Sequence, residues 1–368
     1  MRVRVRFAPS PTGSLHLGNA LTAAANRRFA DTHGGVLALR IDDTDPARTV
    51  EGGEEAILGD LAWLGIAWDE GPVRQSQRAG LYTDAAQRAL AGGGAERDAD
   101  GAIRLSRDGT TLLRPDGTAT YQLASVADDL DLGITHVIRG NDHRPNLELQ
   151  RRIARALGGE LPEVIHHGLV LGPDGKKLSK RHGHSSVAEL RDEGFPPQAV
   201  RAYLDELGLP EHDVHLDFAR LRRLAVDAIA AMADDELAAA VDAPLEVVPA
   251  LRGARTLVEA REHARLVLAP EPATVSSEAS PTLERFVELR GGAPDRVSLG
   301  EARAIVRELK AVGGDLRSLR RALTGADRGP ELAAVLAAIP RDEALARAVR
   351  AHAASGTEGV AEGTVSDT

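Results

Sequence analysis

Arginine and apolar residues alternate along residues 2–8, the period-two pattern of a half-buried strand. Two prolines and a glycine then mark a turn at 9–13, and residues 17–32 space their apolar groups as a helix does. A second apolar run at 36–41 ends in Asp42-Asp43-Thr44-Asp45, and a second helical pattern covers 53–64. Strand, helix, strand, helix at this spacing predicts a parallel α/β sheet. The same alternation returns with a strand at 135–139, a helix at 147–157 and a strand at 164–171. Between the two halves, residues 91–118 are rich in Gly, Asp and Arg and predict hairpins and loop. A polar loop spans 172–185. From 197 the pattern is helical almost to the end, broken near 210, 270–281 and 291–295. The small, polar residues 355–368 predict a disordered tail.

Composition narrows the chemistry. There is no cysteine, which excludes thiol catalysis and every cysteine-based zinc site. No stretch approaches eighteen uninterrupted apolar residues, so no membrane helix is predicted, and the Arg-rich opening lacks the apolar core of a secretory signal. These features lead to the expectation of a cytoplasmic protein. The net charge of −10 argues against a general nucleic-acid coat. Charge is uneven, however: residues 1–50, 151–200 and 301–350 are net basic. Of 45 basic residues only four are lysine, and three of those, Lys176, Lys177 and Lys180, fall within five positions.

Two segments carry candidate chemistry. The first begins at Arg6 and runs through Ala8, Pro9, Ser10, Thr12, Gly13, His16 and Gly18 to Asn19. It ends a strand and opens a helix, where free N–H groups bind phosphate. His16 can hydrogen-bond a phosphate, and Gly18 lets a flat base approach the backbone. His-Leu-Gly-Asn alone is more often just a capped helix start; the full segment is far more specific. The second segment is Lys176-Lys177-Leu178-Ser179-Lys180-Arg181. So much positive charge calls for an anion, and lysine's flexible point charge suits phosphate oxygens that move during reaction. It is no P-loop, because position 170 is valine where that motif needs glycine. His166, His167, His182 and His184 fit no familiar metal-ligand spacing, so no metal site is predicted. Asp42 follows a strand, where parallel sheets place ligand groups, and Arg139 ends another, where it would need an anionic partner such as a substrate carboxylate.

These segments occur in order with Tyr121-Gln122-Leu123-Ala124-Ser125, Val137-Ile138-Arg139-Gly140 and the Trp63-Leu64-Gly65 and Trp68-Asp69-Glu70-Gly71-Pro72 runs. Together they resemble the catalytic domain of class I glutamyl-tRNA synthetases. Leu319-Arg320-Arg321-Ala322-Leu323-Thr324-Gly325 resembles the helical anticodon-binding domain of the same family. The resemblance implies a Rossmann-like catalytic domain at 1–210 with a reduced insertion at 83–118. It implies a helical stem-contact region at 211–272 and an anticodon-binding-like domain at 273–354.

The activity implied is glutamate–tRNA ligation, with ATP, glutamate and tRNA as substrates, Mg²⁺ accompanying ATP, no zinc and a monomeric enzyme. Carried over by position, His16, Lys177 and Lys180 act in catalysis. Pro9, Thr12, Gly13, Gly18, Asn19, Asp142, Leu178, Ser179 and Arg181 join His16 and Lys180 around ATP. Arg6, Ala8, Ser10, Asp42, Tyr121, Ser125 and Arg139 surround glutamate. Asp42 and Ser125 stand where the family often has glutamate and asparagine. Only 38 residues separate Tyr82 from Tyr121, where the family carries an acceptor-stem domain. That shortening leaves two alternatives: a glutamate-activating paralogue with another acceptor, such as a modified tRNA nucleoside, a carrier or a small amine, or a non-catalytic tRNA-binding paralogue. Residues 319–332 argue against the first, because relatives that charge a modified nucleoside lack the helical region. His16, Lys177 and Lys180 argue against the second.

Overall fold

The computed structural model describes residues 2–45, 47, 49–176, 178 and 185–353. Lys177, Ser179, Lys180, Arg181 and the tail lie outside the described residues. The chain divides into two compact units, Met1–Asp192 with Val200–Arg220, and Glu193–Ala199 with Leu221–Thr368.

In the first unit, β1 (Arg4–Phe7), β2 (Val36–Ile41) and β3 (Glu70–Arg74) form a parallel sheet, joined through helices α1 (Leu17–Thr32) and α2 (Gly53–Trp63). All six residues of β2 are buried, as a central parallel strand covered on both faces requires. On the far side of β1, the Thr135 N–H donates to Arg4 O at 2.9 Å and the Arg4 N–H to Thr135 Oγ1 at 2.8 Å. These bonds bring β7 (His136–Gly140) alongside β1, and β7 pairs in parallel with β8 (Glu163–His167). The chain thus leaves β1 in one direction and returns on its other side, which opens a crevice beyond the carboxyl ends of β1 and β7.

The shortened insertion is a small antiparallel sheet, β4 (Ala95–Arg97), β5 (Ile103–Leu105) and β6 (Thr111–Leu113). It packs with α3 (Ala79–Ala91), α4 (Tyr121–Asp131) and α5 (Leu147–Ala156) around Tyr82, Ile103, Leu112, Leu123 and Ile153. The single strand expected at 164–171 is two. After β8 the chain breaks at Gly168 and continues as β9 (Val170–Leu171), which pairs with β10 (Val214–His215). Gly168 lies so near the backbone of His212 that a Cβ there would sit 1.9 Å from its carbonyl oxygen. This close crossing diverts the chain from β7 to a new partner.

The described part of the second unit is helical. One apolar core runs from Ile229 to Ala351 and includes Leu251, Phe286, Leu319 and Val335, so it is continuous across residue 272. Its helix starts are capped by Thr256, Asp315 and a Ser298–Glu301 capping box. Among the described residues no helix is long and apolar enough to cross a membrane.

Candidate active site

A cleft of about 500 Å³ opens at the carboxyl ends of β1 and β7. One wall is the turn between β1 and α1. Pro9 O accepts from Asp42 N at 2.9 Å, which ties the turn to the end of β2, and Pro11 O from Val50 N at 3.0 Å, which ties it to the segment before α2. Gly13 has φ +107°, a conformation that side chains disfavour. Buried Asp60 accepts from Ser14 Oγ at 2.7 Å and Leu15 N at 2.8 Å, and so sets the entry into α1. His16 is the N-cap residue of that 16-residue helix.

Pro9, Thr12, His16, Gly18, Asn19, Asp142 and Leu178 all line this part of the cleft. Gly13 shapes the turn without lining it. A Cβ on Gly18 would meet nothing among the described residues within 4 Å, so the helix start offers an open face to a flat group. The lysine loop is anchored at both described flanks: Leu178 N donates to Val170 O at 3.1 Å, and Leu17 N donates to Ser185 O at 3.0 Å. Thr22 and His167 also line the cleft, with Thr22 Oγ1 and His167 Nε2 2.9 Å apart. His167 Nδ1 donates to Gly168 O at 2.8 Å.

The other part is built from charge. Arg6, Ala8, Ser10, Asp42, Tyr121 and Arg139 line it. Behind them Arg40, 0% exposed, donates from Nε to Asp42 Oδ1 at 2.6 Å and from Nη2 to Asp42 Oδ2 at 3.2 Å. Its Nη1 donates to Asp129 Oδ1 at 2.9 Å, the oxygen that also accepts from Arg6 Nε at 3.2 Å. Burial raises the Asp42 carboxyl above its usual range, against the opposing pull of Arg40. Asp128 is raised by burial as well; it accepts from Gln75 and Tyr82 and forms an ion pair with Arg78 at 2.8 Å. Ser125, expected to face glutamate, does not line the cleft: it is buried, and its Oγ accepts from Arg40 at 3.4 Å.

Arg139 stands apart from this paired network. It is 6% exposed, and its Nη2 is buried with no hydrogen-bond partner among the described residues. Its Nε donates to His166 Nε2 at 3.4 Å. Burial, reinforced by the charge of Arg6, pushes the Arg139 guanidinium below its usual value. Burial and Arg139 together hold His166 at about 4, so that ring is neutral at physiological pH. A buried guanidinium with an unused donor, set in a cleft, is built to take an anion.

Sequence reading missed Arg40, Asp128 and Asp129. Tyr121, Ser125, Asp128 and Asp129 stand at i, i+4, i+7 and i+8 of α4, a polar stripe along one face of the helix, and that spacing was the available signal. Thr22 and His167 carried no such signal. Among the described residues no three His, Cys, Asp or Glu converge as a metal site.

Residues 2–107 and 98–226 match the family model of the class I tRNA synthetase (E and Q) catalytic domain. The chain belongs to the class I glutamyl-tRNA synthetase family. It is an aminoacyl-tRNA ligase, with the α/β and helical architecture expected. The glutamate–tRNA ligase 1 of Rubrobacter xylanophilus is 38% identical, over 96% of this chain and 98% of that protein. The glutamate–tRNA ligase 2 of Parvibaculum lavamentivorans is 35% identical, over 94% of each. A glutamate tRNA ligase from Elizabethkingia meningosepticum, solved in complex with its amino acid, superposes with a TM-score of 0.77. That structure covers 95% of this chain and 99% of its own at 22% identity, which is evidence of a shared fold. The Rubrobacter alignment spans 425 positions against a chain of 368, so this glutamyl-tRNA synthetase family member lacks internal segments that its relative has. The two matches to the family model meet at 98–107, inside the small β4–β6 sheet.

Proposed function

We propose that this enzyme activates glutamate with ATP and transfers the glutamyl group to the 3′-terminal adenosine of tRNA. The observation that carries the reading is the unpartnered, buried Nη2 of Arg139 in the cleft wall, opposite a phosphate-binding helix start. In the first step an α-carboxylate oxygen of glutamate attacks the α-phosphorus of ATP and pyrophosphate leaves. A guanidinium clamped on that attacking carboxylate would blunt it, so Arg139 and Arg6 take the side-chain carboxylate instead. Asp42 takes the ammonium group; both its oxygens accept from Arg40, yet each keeps a further lone pair. Ser10, Ala8 and Tyr121 complete that pocket, with Ser125 supporting it through Arg40.

ATP lies over Gly18 and Asn19, its phosphates against His16, Thr12 and the 9–13 turn, and its ribose near Asp142. Leu178, Ser179 and Arg181 also contribute to ATP binding, and Lys177 and Lys180 neutralise the triphosphate in the transition state. Such catalysis is positioning and charge stabilisation, with no protein nucleophile. Mg²⁺ comes with the phosphates of ATP. In the second step the ribose hydroxyl of tRNA attacks the glutamyl carbonyl and AMP leaves. Residues 211–272 contact the tRNA stem and 273–354 its anticodon, in a cytoplasmic monomer.

The test is glutamate-dependent ATP–pyrophosphate exchange, with and without total tRNA, followed by charging of total tRNA. Exchange together with acid-labile glutamate on tRNA is expected. No exchange in either condition refutes the reading. Exchange without charging would show that the shortened β4–β6 insertion redirects the acceptor.

A further inference from the structure

Arg6 reaches the cleft from β1 and Arg40 lies behind it on β2, yet one oxygen of one carboxylate holds both. That carboxylate, Asp129, sits on α4, whose first residue is the cleft residue Tyr121. Asp129 is 4% exposed and the two arginines are 6% and 0% exposed, so water contributes little to their pairing. Resting on the reading of this cleft as a glutamate site, we propose that Asp129 is a positioning residue for glutamate recognition. It aims Arg6 at the substrate and, through Arg40, fixes Asp42.

The local charges support this role. Around the pocket Arg6, Arg40 and Arg139 stand with Asp42, Asp129 and Asp142, while Asp128 pairs with Arg78 and, at 3.6 Å, with Arg40. Without the charge of Asp129, Arg6 keeps no ion pair among the described residues, in a place where an uncompensated guanidinium is among the costliest of buried groups. Arg6, the last residue but one of β1, then turns toward water instead of waiting for substrate.

The experiment measures KM for glutamate and for ATP by pyrophosphate exchange with total tRNA present. It uses wild type, Asp129→Asn, Arg6→Gln and the double variant. Asparagine keeps the shape and the Oδ1 acceptor and removes the charge. Asp129→Asn is expected to raise the glutamate KM about 10- to 100-fold, the scale of one charge-assisted hydrogen bond. The ATP KM should stay within about twofold, a split that a general structural defect would not give. The double variant should fall well short of the product of the two single effects, because Asp129 acts in part through Arg6. An unchanged glutamate KM in Asp129→Asn, parallel rises in both KM values, or multiplying effects in the double variant would each overturn the proposal. If Asp129→Asn does not fold, Asp129→Glu, which keeps the charge and displaces it, must raise the glutamate KM selectively or the proposal fails. A wild type inactive in exchange overturns both this proposal and the glutamate site on which it rests.

Discussion

Replacing Arg139 by methionine separates its two roles, because the substitution should harm catalysis and help the fold. Methionine fills a similar volume without charge. In the complex it leaves the side-chain carboxylate of glutamate to Arg6 alone, a loss of about 1.5–3 kcal/mol for the charge-assisted bonds of Arg139. At about 1.4 kcal/mol per tenfold, kcat/KM for glutamate should fall between about 10- and 150-fold. Glutamine carries no charge there and should lose less than about tenfold, so the preference for glutamate collapses. In the free enzyme the balance reverses. Arg139 holds a buried donor without a partner among the described residues and lies next to Arg6. Removing an unsatisfied buried group returns about 1–3 kcal/mol, against the loss of a long 3.4 Å bond to His166. A net gain of about 1 kcal/mol raises the melting temperature by about 2–4 °C in a unit of this size. Exchange kinetics with both amino acids and calorimetry on the same preparations provide the readouts. Equal losses for glutamate and glutamine, or a lower melting temperature, would refute the assignment of Arg139 to the side-chain carboxylate.

Three further outcomes are expected. Gly168→Ala drives a Cβ to 1.9 Å from His212 O, and such overpacking costs about 1–3 kcal/mol or more; thermal melting and a raised KM for ATP report it. Lys180→Ala should lower turnover much more than ATP affinity, as a group that acts mainly on the transition state requires; equal losses in the two parameters would contradict that role. His166 is held at about 4 in the folded protein, so the unfolded chain takes up a proton first as pH falls. Its stabilising contribution is therefore complete above the ordinary histidine value and is lost as pH drops toward 4; His166→Gln should flatten that part of the melting-temperature profile.

Much of the catalytic unit was legible along the chain. The helix at 17–32 and the strand at 36–41 have the expected bounds, and the strand is buried along its whole length, as its largely apolar run suggests. β3 was not foreseen: Glu-Gly-Pro-Val-Arg reads locally as a turn, and only its register beside β2 makes it a strand. The break at Gly168 was missed although His166-His167-Gly168 interrupts the apolar run, because its cause, the crossing of His212, lies far along the chain. In the cleft, most of the lining residues were identified by motif, while those that hold them in place were not. Asp129 has meaning only when β1 and β2 bring two arginines to it. Ser125 belongs to the recognised motif and sits on the supporting side.

The two parts of the cleft also differ in when they can be completed as the chain leaves the ribosome. β1, β2, α4 and β7, which carry the arginines and carboxylates, all precede residue 141. β9, next to the lysine loop, waits for a partner 44 residues downstream, where Leu169 N meets Asp213 and Val170 aligns with Val214. Because the chain emerges from its N-terminus, the part of the cleft around Arg6, Asp42 and Arg139 can assemble while the part beside β9 still lacks its support. On the proposed assignment, a nascent chain halted before Val214 would therefore have a place for glutamate but an unfinished one for ATP.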